Sequence, residues 1–557
     1  MPAMRRNAAA ILILCALALT ACGTAPESPA TPERSPGPTT LAGQVALFSD
    51  EDLAGQVLMP YAYGQDATKV SAGAAKANQK LAGVSTPAEL VTKLRLGGVI
   101  LVGFEAGDPT AQDTANIDDP KQVRAFTAGL QAAAAKLPAG TPLLIGTDQE
   151  YGVVTRVKSG VTLLPSAMAL GAANQPELTE AAWRTAGTEL AAMGINVDFA
   201  PDADVQGASS VIGSRSFGSD SKLVAEQAAA AVRGLQAAGV AATLKHFPGH
   251  GRPAADSHGD LPQLQQTRQQ LAEVDLPPFQ AGIKAGVQLI MSGHLDVRSI
   301  DPGMPASFSA KVLEGVLRQQ LGFDGVVVTD ALNMAPAERW PAGEAAVRAL
   351  EAGNDLLLMP PDPVAAYNGI LAALKAGKLS RDRLRASVTR ILTLKRAVAE
   401  DDQPGLEVLA GSEHQAAVAA AASAAVTQLR GACGAPLVTG VVSVTAAKGR
   451  DASRDRLVKA LQAQGVRVEQ STVPAGAQVV HLVGYGDAAG DLNAKATITV
   501  AMDTPYVLAK SASPVLLATY SSSPLSLDAL AKVLAGKAKA EGRSPVAVNG
   551  LPRTSCG

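Results

Sequence analysis

Short apolar runs that end in polar residues, each followed by an amphipathic stretch, recur along the first two thirds of this sequence. They are "VLMPY" from Val57, "GVILV" from Gly98, "PLLIG" from Pro142 and "NVDFA" from Asn196, then "AATLK" from Ala241, "LIMS" from Leu289, "GVVVT" from Gly325 and "DLLLM" from Asp355. Strands that are apolar along their whole length are buried on both faces, as in a parallel sheet covered by helices. The intervening segments carry helix signals. Asp220 precedes "SKLVAEQAAAAVRGLQAAG", whose apolar positions recur every three or four residues, with Gly239 as the stop. Pro277 and Pro278 open "FQAGIKAG", which suits a first helical turn. Eight strands alternating with helices predict an α/β fold, a (β/α)8 TIM-type barrel over residues 45–400.

A helical stretch from about Val364 to Val398 leads to "EDDQPG", which reads as a linker. Beyond it "LVTGVVSV", "RLVKALQAQG", "QVVHLVGY", "TITVAM", "VLLATYSSSP" and "LDALAKVLAG" alternate again, predicting a smaller α/β sandwich domain over 401–557. Its "VGYGDAAG" lacks the GxGxxG spacing and predicts no dinucleotide site.

The first residues read differently. In "MPAMRRNAAAILILCALALTACG" two arginines precede an apolar run too short to span a bilayer comfortably, so residues 1–21 are expected to be a signal peptide. Leu19-Thr20-Ala21-Cys22 resembles the lipobox of bacterial lipoproteins. That implies lipidation of Cys22, a Pro/Ser/Thr tether over 22–44, and anchoring to the outer face of the cell membrane. Export changes how the cysteines read. Cys15 and Cys22 belong to the leader, and an oxidising compartment favours a disulfide between the remaining pair, Cys433 and Cys556. A formal charge of −2 and 3% aromatic residues provide no platform for nucleic acid.

A barrel places its chemistry just after its strands. Asp148, Asp202, Asp204, Lys245, His246, His294 and Asp330 all fall at such ends. Three of the chain's six histidines stand together in "LKHFPGHGRPAADSHGDLP". His246, His250 and His258 with Asp256 could be metal ligands, although Pro248, Gly249 and Gly251 break any helix that would put two of them on one face. His250 alone reads best as a residue satisfying loop hydrogen bonds. In an extended loop Asp256 and His258 point the same way. The carboxylate would then fix the imidazole tautomer and leave the other nitrogen to exchange protons. Asp330, ending "GFDGVVVTD", is placed to supply a nucleophile.

"KHFPGHG" followed by "ADSH" and "GVVVTDALNM" strongly resembles the bacterial β-N-acetylglucosaminidases of glycoside hydrolase family three. "TDQEYGVVTR", "GSRSFG", "NVDFAPDADV" and "ATYSSSPLSLDALAKVLAG" fit the same family. The resemblance runs from about Phe48 to the end. It implies Asp330 as nucleophile, His258 as acid/base with Asp256 as its partner, and Asp148, Arg156, Arg215, Lys245 and His246 as sugar-binding residues. It implies neither metal nor cofactor, and a substrate of GlcNAc-containing cell-wall oligosaccharides or muropeptides. The other readings are a β-glucosidase or xylosidase of the same fold, a GlcNAc phosphorylase, and a catalytically inactive sugar-binding lipoprotein. The sequence departs from the pattern at Tyr151 and Val153, where relatives often carry Gly and Arg.

Overall fold

The computed structural model describes residues 40–103, 114–207, 210–253, 255–398, 403–434, 436–470 and 476–556. The expected signal peptide, Cys22 and the expected tether as far as residue 39 lie outside the described residues. No helix among the described residues is long and apolar enough to cross a membrane.

All eight predicted strands are present: β1 (Leu58–Met59), β2 (Gly98–Ile100), β3 (Leu144–Thr147), β4 (Val197–Asp198), β5 (Ala241–Phe247), β6 (Leu289–Ser292), β7 (Val326–Thr329) and β8 (Leu357–Leu358). Strands β2 to β7 form one parallel sheet in chain order, and β1 pairs in parallel with β8. The ring closes at two seams. Val328 bridges Leu356 between β7 and β8, and the Ile100 N–H donates to the Pro60 carbonyl between β2 and β1. Each strand is buried along its length, as the apolar runs require. Gly146 on β3 shows how tightly the interior fills. A Cβ there would lie 2.7 Å from the Met59 side chain and 2.8 Å from the Phe199 ring.

The helices follow their signals. Ser221–Ala237 is capped by the Asp220 side chain accepting from the Leu223 N–H, and Pro277–Lys284 starts on its prolines. The stretch expected as one helix from Val364 to Val398 is two, Pro363–Lys375 and Arg381–Ala397. Gly377 turns through φ 69° between them, and Ser380 caps the second. The last residues of the expected tether are already helical. A helix begins at Leu41 and buries Val45, because Thr40 caps it through its hydroxyl.

The second unit is a six-stranded sheet of β9 (Thr427–Arg430), β10 (Val441–Ala446), β11 (Arg467–Val468), β12 (Gln478–Val483), β13 (Ile498–Ala501) and β14 (Val515–Ala518). Its order is β9-β14-β13-β12-β10-β11, with β9 antiparallel and the others parallel. Helices Ser412–Ala425, Asp451–Ala463 and Pro524–Leu534 cover it. The expected linker is no free strap in its described part. Arg124 donates to the Pro404 carbonyl, and Gln403 donates to the Ala191 carbonyl at 2.6 Å. Helix Ser412–Ala425 then joins the units, placing Val418 and Ala421 in the barrel core and Ala422 in the core of the second sheet. A third apolar cluster spans the seam, with Met168, Ala169 and Ala172 packed among Leu429, Leu516 and Tyr520.

Cys433 and Cys556 are joined, with Cα atoms 5.7 Å apart. They lie 123 residues apart in sequence, and closing so long a loop restricts the unfolded chain by about 4–5 kcal/mol in the chain-entropy model. Cys433 is exposed, so mild reductant should open the bond in the folded protein. The reduced form, or Cys433→Ser, should unfold at lower denaturant, with a loss of up to about 4 kcal/mol. An unchanged midpoint in equilibrium unfolding would contradict this.

Candidate active site

A cavity of about 400 Å³ opens at the carboxyl ends of the barrel strands and collects residues from β3, β4, β5 and β7 or the loops after them. Strand β5 supplies two of its walls through an irregularity. Its register against β6 shifts between Leu244 and Phe247. In a regular strand successive side chains point to opposite faces, and a bulge relaxes that alternation. Lys245 and His246 both line the cavity.

At the cavity floor charges are paired and largely buried. Glu150 accepts from Arg215 at 2.7 and 2.9 Å and meets the Lys245 ammonium at 2.6 Å. Burial pushes the Glu150 carboxyl up, but Arg215 and Lys245 outweigh it and hold the group well below the usual carboxylate range. Lys245 also meets Asp148 at 3.1 Å, and Arg156 meets the other Asp148 oxygen at 3.5 Å. Asp148 is the more open of the two acids. It therefore faces the cavity with a fixed orientation, suited to accepting two sugar hydroxyls. His246 is fixed from behind by Asp204, whose Oδ2 lies 2.8 Å from Nδ1. Burial lowers the affinity of this imidazole for its proton, but Asp204 raises it more, with Asp202 and Asp330 adding to the effect.

Asp330 follows β7, and its Oδ1 accepts from the Ala331 N–H at 2.8 Å. Burial alone would favour the acid form, yet His246, His294, His258 and that N–H together lower its pKa. The group is thus an anion at neutral pH with His246 beside it. His294 is itself held, by the Ser307 hydroxyl at 2.6 Å and the Ala331 carbonyl at 3.0 Å.

Asp256 and His258 meet as expected, although by a turn and not an extended segment. Asp256 Oδ1 accepts from the His258 backbone N–H at 3.0 Å and lies 2.6 Å from His258 Nδ1, while the Gly259 and Asp260 N–H groups donate to the Asp256 carbonyl. Such a turn is the natural geometry for an aspartate whose side chain accepts two residues on. The His258 hydrogen bonds and charge hold the Asp256 carboxyl far below its usual range. Ser257 between them points the other way, 3.0 Å from His250 Nε2. The His250 N–H donates to Asp204 at 2.6 Å, so His250 ties the turn to the barrel wall. Burial, with His246 nearby, lowers the His250 imidazole to about 4.

The cavity thus brings together every catalytic and sugar-binding residue expected from the sequence: Asp330, His258, Asp256, Asp148, Arg156, Arg215, Lys245 and His246. Glu150, the hub of the floor, was missed. Its signal was its position two residues after Asp148, on the same loop. Also missed were Arg450, Tyr485 and Ser522 of the second domain, which no local pattern marks. Tyr151 adopts φ 65° and packs its ring 5.8 Å from that of Trp183, while Val153 lines the cavity. The left-handed backbone is the one that favours glycine.

Ligand atoms of Asp202, Asp204 and His246 lie within 4.8 Å of one another, the spacing of a metal site. Their chemistry fits a cation poorly. Asp204 accepts from the backbone N–H groups of His246 and His250 as well as pairing with the His246 ring. Asp202 already meets Arg215 at 3.3 Å. A hollow of similar size, about 410 Å³, opens at the strands' opposite ends around Arg124 and Lys395. No carboxylate or histidine lines it among the described residues; its Lys395 ammonium, which burial lowers to about 7, donates to Gln56 Oε1 at 2.7 Å.

Asp202 gives the floor a pH signature. Burial raises its carboxyl to about 7, with Glu150 and Asp204 adding and Arg215 and His246 opposing. In the unfolded chain an aspartate loses its proton near pH ~4. The folded chain therefore retains a proton between roughly pH 4 and 7 that the unfolded chain has lost. The resulting stabilisation is complete below that window and disappears as pH rises through it. Asp202→Asn should thus gain stability relative to the unmodified protein between about pH 4.5 and 8. A constant difference in unfolding free energy would contradict a protonated Asp202.

Comparison with known proteins agrees with this geometry. Residues 65–394 match the family model described as the glycosyl hydrolase family 3 N terminal domain. Beta-hexosaminidase A of Pseudoalteromonas piscicida is 30% identical over 423 residues, 70% of this chain and 68% of that protein. A beta-hexosaminidase of Thiobacillus denitrificans is 40% identical over 276 residues, 48% of this chain and 72% of its own. The solved structure of a glycoside hydrolase family 3 beta-N-acetylglucosaminidase from Paenibacillus sp. superposes with a TM-score of 0.77 at 32% identity, covering 90% of this chain and 99% of that one. On fold, site and sequence together, this chain belongs to glycosyl hydrolase family 3.

Proposed function

We propose that the protein is a retaining exo-β-N-acetylglucosaminidase that releases non-reducing GlcNAc from peptidoglycan-derived fragments. The observation that carries this reading is the Asp256–His258 pair lining one cavity with the ionised Asp330. The relatives described as beta-hexosaminidases and the beta-N-acetylglucosaminidase fold neighbour support the choice of sugar.

In this mechanism Asp330 attacks the anomeric carbon while His258 Nε2 donates its proton to the departing oxygen. A covalent glycosyl-aspartate forms, with an imidazole that then takes a proton from water as the water displaces Asp330. Two inversions give net retention. Asp256 holds Nδ1–H and stabilises the imidazolium formed in the second step. A histidine suits this place because neither the imidazolium that donates nor the imidazole left behind feels the repulsion that a second carboxylate would feel beside Asp330. Asp148, Arg156, Lys245 and His246 hold the sugar's polar edge, and Arg215 acts through Glu150. The signal-like leader and Cys22 support export and a lipid anchor on the outer face of the cell membrane, where cell-wall fragments are at hand.

Turnover of p-nitrophenyl β-GlcNAc, with the β-glucoside as control, tests the assignment. Activity on the glucoside alone would overturn the choice of sugar, and activity on neither would leave only a binding protein. Asp330→Ala should abolish turnover by orders of magnitude while leaving the unfolding midpoint near its starting value. A fluorinated GlcNAc donor that slows deglycosylation should label Asp330, and label on another carboxylate would refute its role. His258→Ala should slow turnover about 10²–10⁴-fold. Dialysis against EDTA should leave activity intact. Loss restored by zinc would instead assign Asp202, Asp204 and His246 to a metal.

A further inference from the structure

The hollow at the opposite ends of the strands matches the candidate active site in size, about 410 Å³ against about 400 Å³, but is built from other parts of the barrel. The segments that lead into β3, β4 and β5 contribute Thr141, Ile195 and Gly239. Helix Pro120–Ala134 contributes Arg124, and the last turn of helix Arg381–Ala397 contributes Lys395. A concave site of this volume, apolar with a few placed polar groups, is of the kind that takes a small molecule.

Lys395 is only 3% exposed, yet its acceptors are neutral: Gln56 Oε1 at 2.7 Å and Thr141 Oγ1 at 3.3 Å. Gln56 is fixed as an acceptor, because its Nε2 donates to the Arg95 and Leu96 carbonyls. An ammonium carries three N–H groups, so one has no acceptor among the described residues. The chain's other deeply buried lysine shows what is missing. Burial also works against the charge of Lys245, but Glu150 and Asp148 outweigh it and raise its pKa. Nothing opposes burial at Lys395, and a buried cation is ordinarily paired.

Arg124 adds a second positive charge. Its Nη1 donates to the Ala192 and Pro404 carbonyls. Nε and Nη2, the parallel pair that matches an edge of a carboxylate or phosphate, have no acceptor among the described residues. Helix Pro176–Ala192 ends at the hollow, and its last carbonyls would repel an anion. They are already taken, Ala191 by Gln403 and Ala192 by Arg124, and the Met193 carbonyl just beyond is taken by Thr127. Two cations therefore line the hollow with no acid among its described residues.

We propose that this hollow is a second ligand site, separate from the glycosidase cavity, and that it takes a small organic anion with a carboxylate or phosphate head. The head supplies the negative charge that Lys395 lacks, Arg124 adds its unused N–H edge, and the lining that includes Ile195 and Val398 covers the carbon chain. The site goes beyond the glycosidase reading and does not depend on it. Isothermal titration at constant ionic strength with hexyl phosphate, hexanoate and neutral hexanol tests it. The unmodified protein should bind at least one of the anions saturably, the tighter one identifying the head group, and hexanol far more weakly. Lys395→Met should weaken that binding at least about tenfold. Methionine keeps a buried apolar stem, and Thr141 still donates to Gln56, so the unfolding midpoint should not fall. Arg124→Gln, at a half-buried position, should weaken binding several-fold, and it decides the matter should Lys395→Met fail to fold. Binding of neither anion, hexanol bound as tightly as the anions, or an affinity that Lys395→Met leaves unmoved overturns the proposal.

Discussion

The buried carboxylate of Glu150 organises the site. It lies on the loop after β3, yet it binds Arg215 from the loop after β4 and Lys245 from β5. An unpaired charge at that depth would be costly, so the three elements must converge for any of them to be stable there. Convergence fixes Asp148 through Lys245, and the register shift in β5 that admits Lys245 admits His246 as well. His246 then carries the constraint to Asp330 through its charge.

The loop bearing Arg215 is held from outside the barrel too. Ser214 donates to Asp503 of the second domain, and Ser219 donates to the Pro545 carbonyl. On the barrel side, Ser166 donates to the Tyr520 carbonyl at 2.6 Å, beside the apolar cluster at the seam. The second domain thus acts as a buttress for a binding loop as well as a wall.

The barrel was legible because its strands are buried apolar runs and helices such as Ser221–Ala237 carry caps, which are local signals. The eight runs named from the sequence each hold one of the eight strands of the ring. The catalytic and sugar-binding residues were legible because a barrel puts strand ends in one place, so separate aspartates, histidines and lysines could be assembled without knowing any distance. What escaped reading depends on partners distant in sequence. Glu150 looks like an ordinary loop acid until Arg215 and Lys245 are seen around it. Arg450 and Tyr485 lie some two hundred residues beyond His258, and their place depends on how two domains dock. The Asp256–His258 contact was anticipated, but not its turn, in which the Asp256 side chain accepts from the His258 N–H and its carbonyl from Gly259 and Asp260.

The groups assigned to bond breaking and to holding GlcNAc all come from the barrel, while the far wall of the same cavity comes from a separately folded sheet. Substitutions on that wall can therefore accumulate without disturbing the proton-transfer pair or the nucleophile. Lineages that share one reaction can diverge in diet by drift along the part of the domain seam that does not hold the loop bearing Arg215.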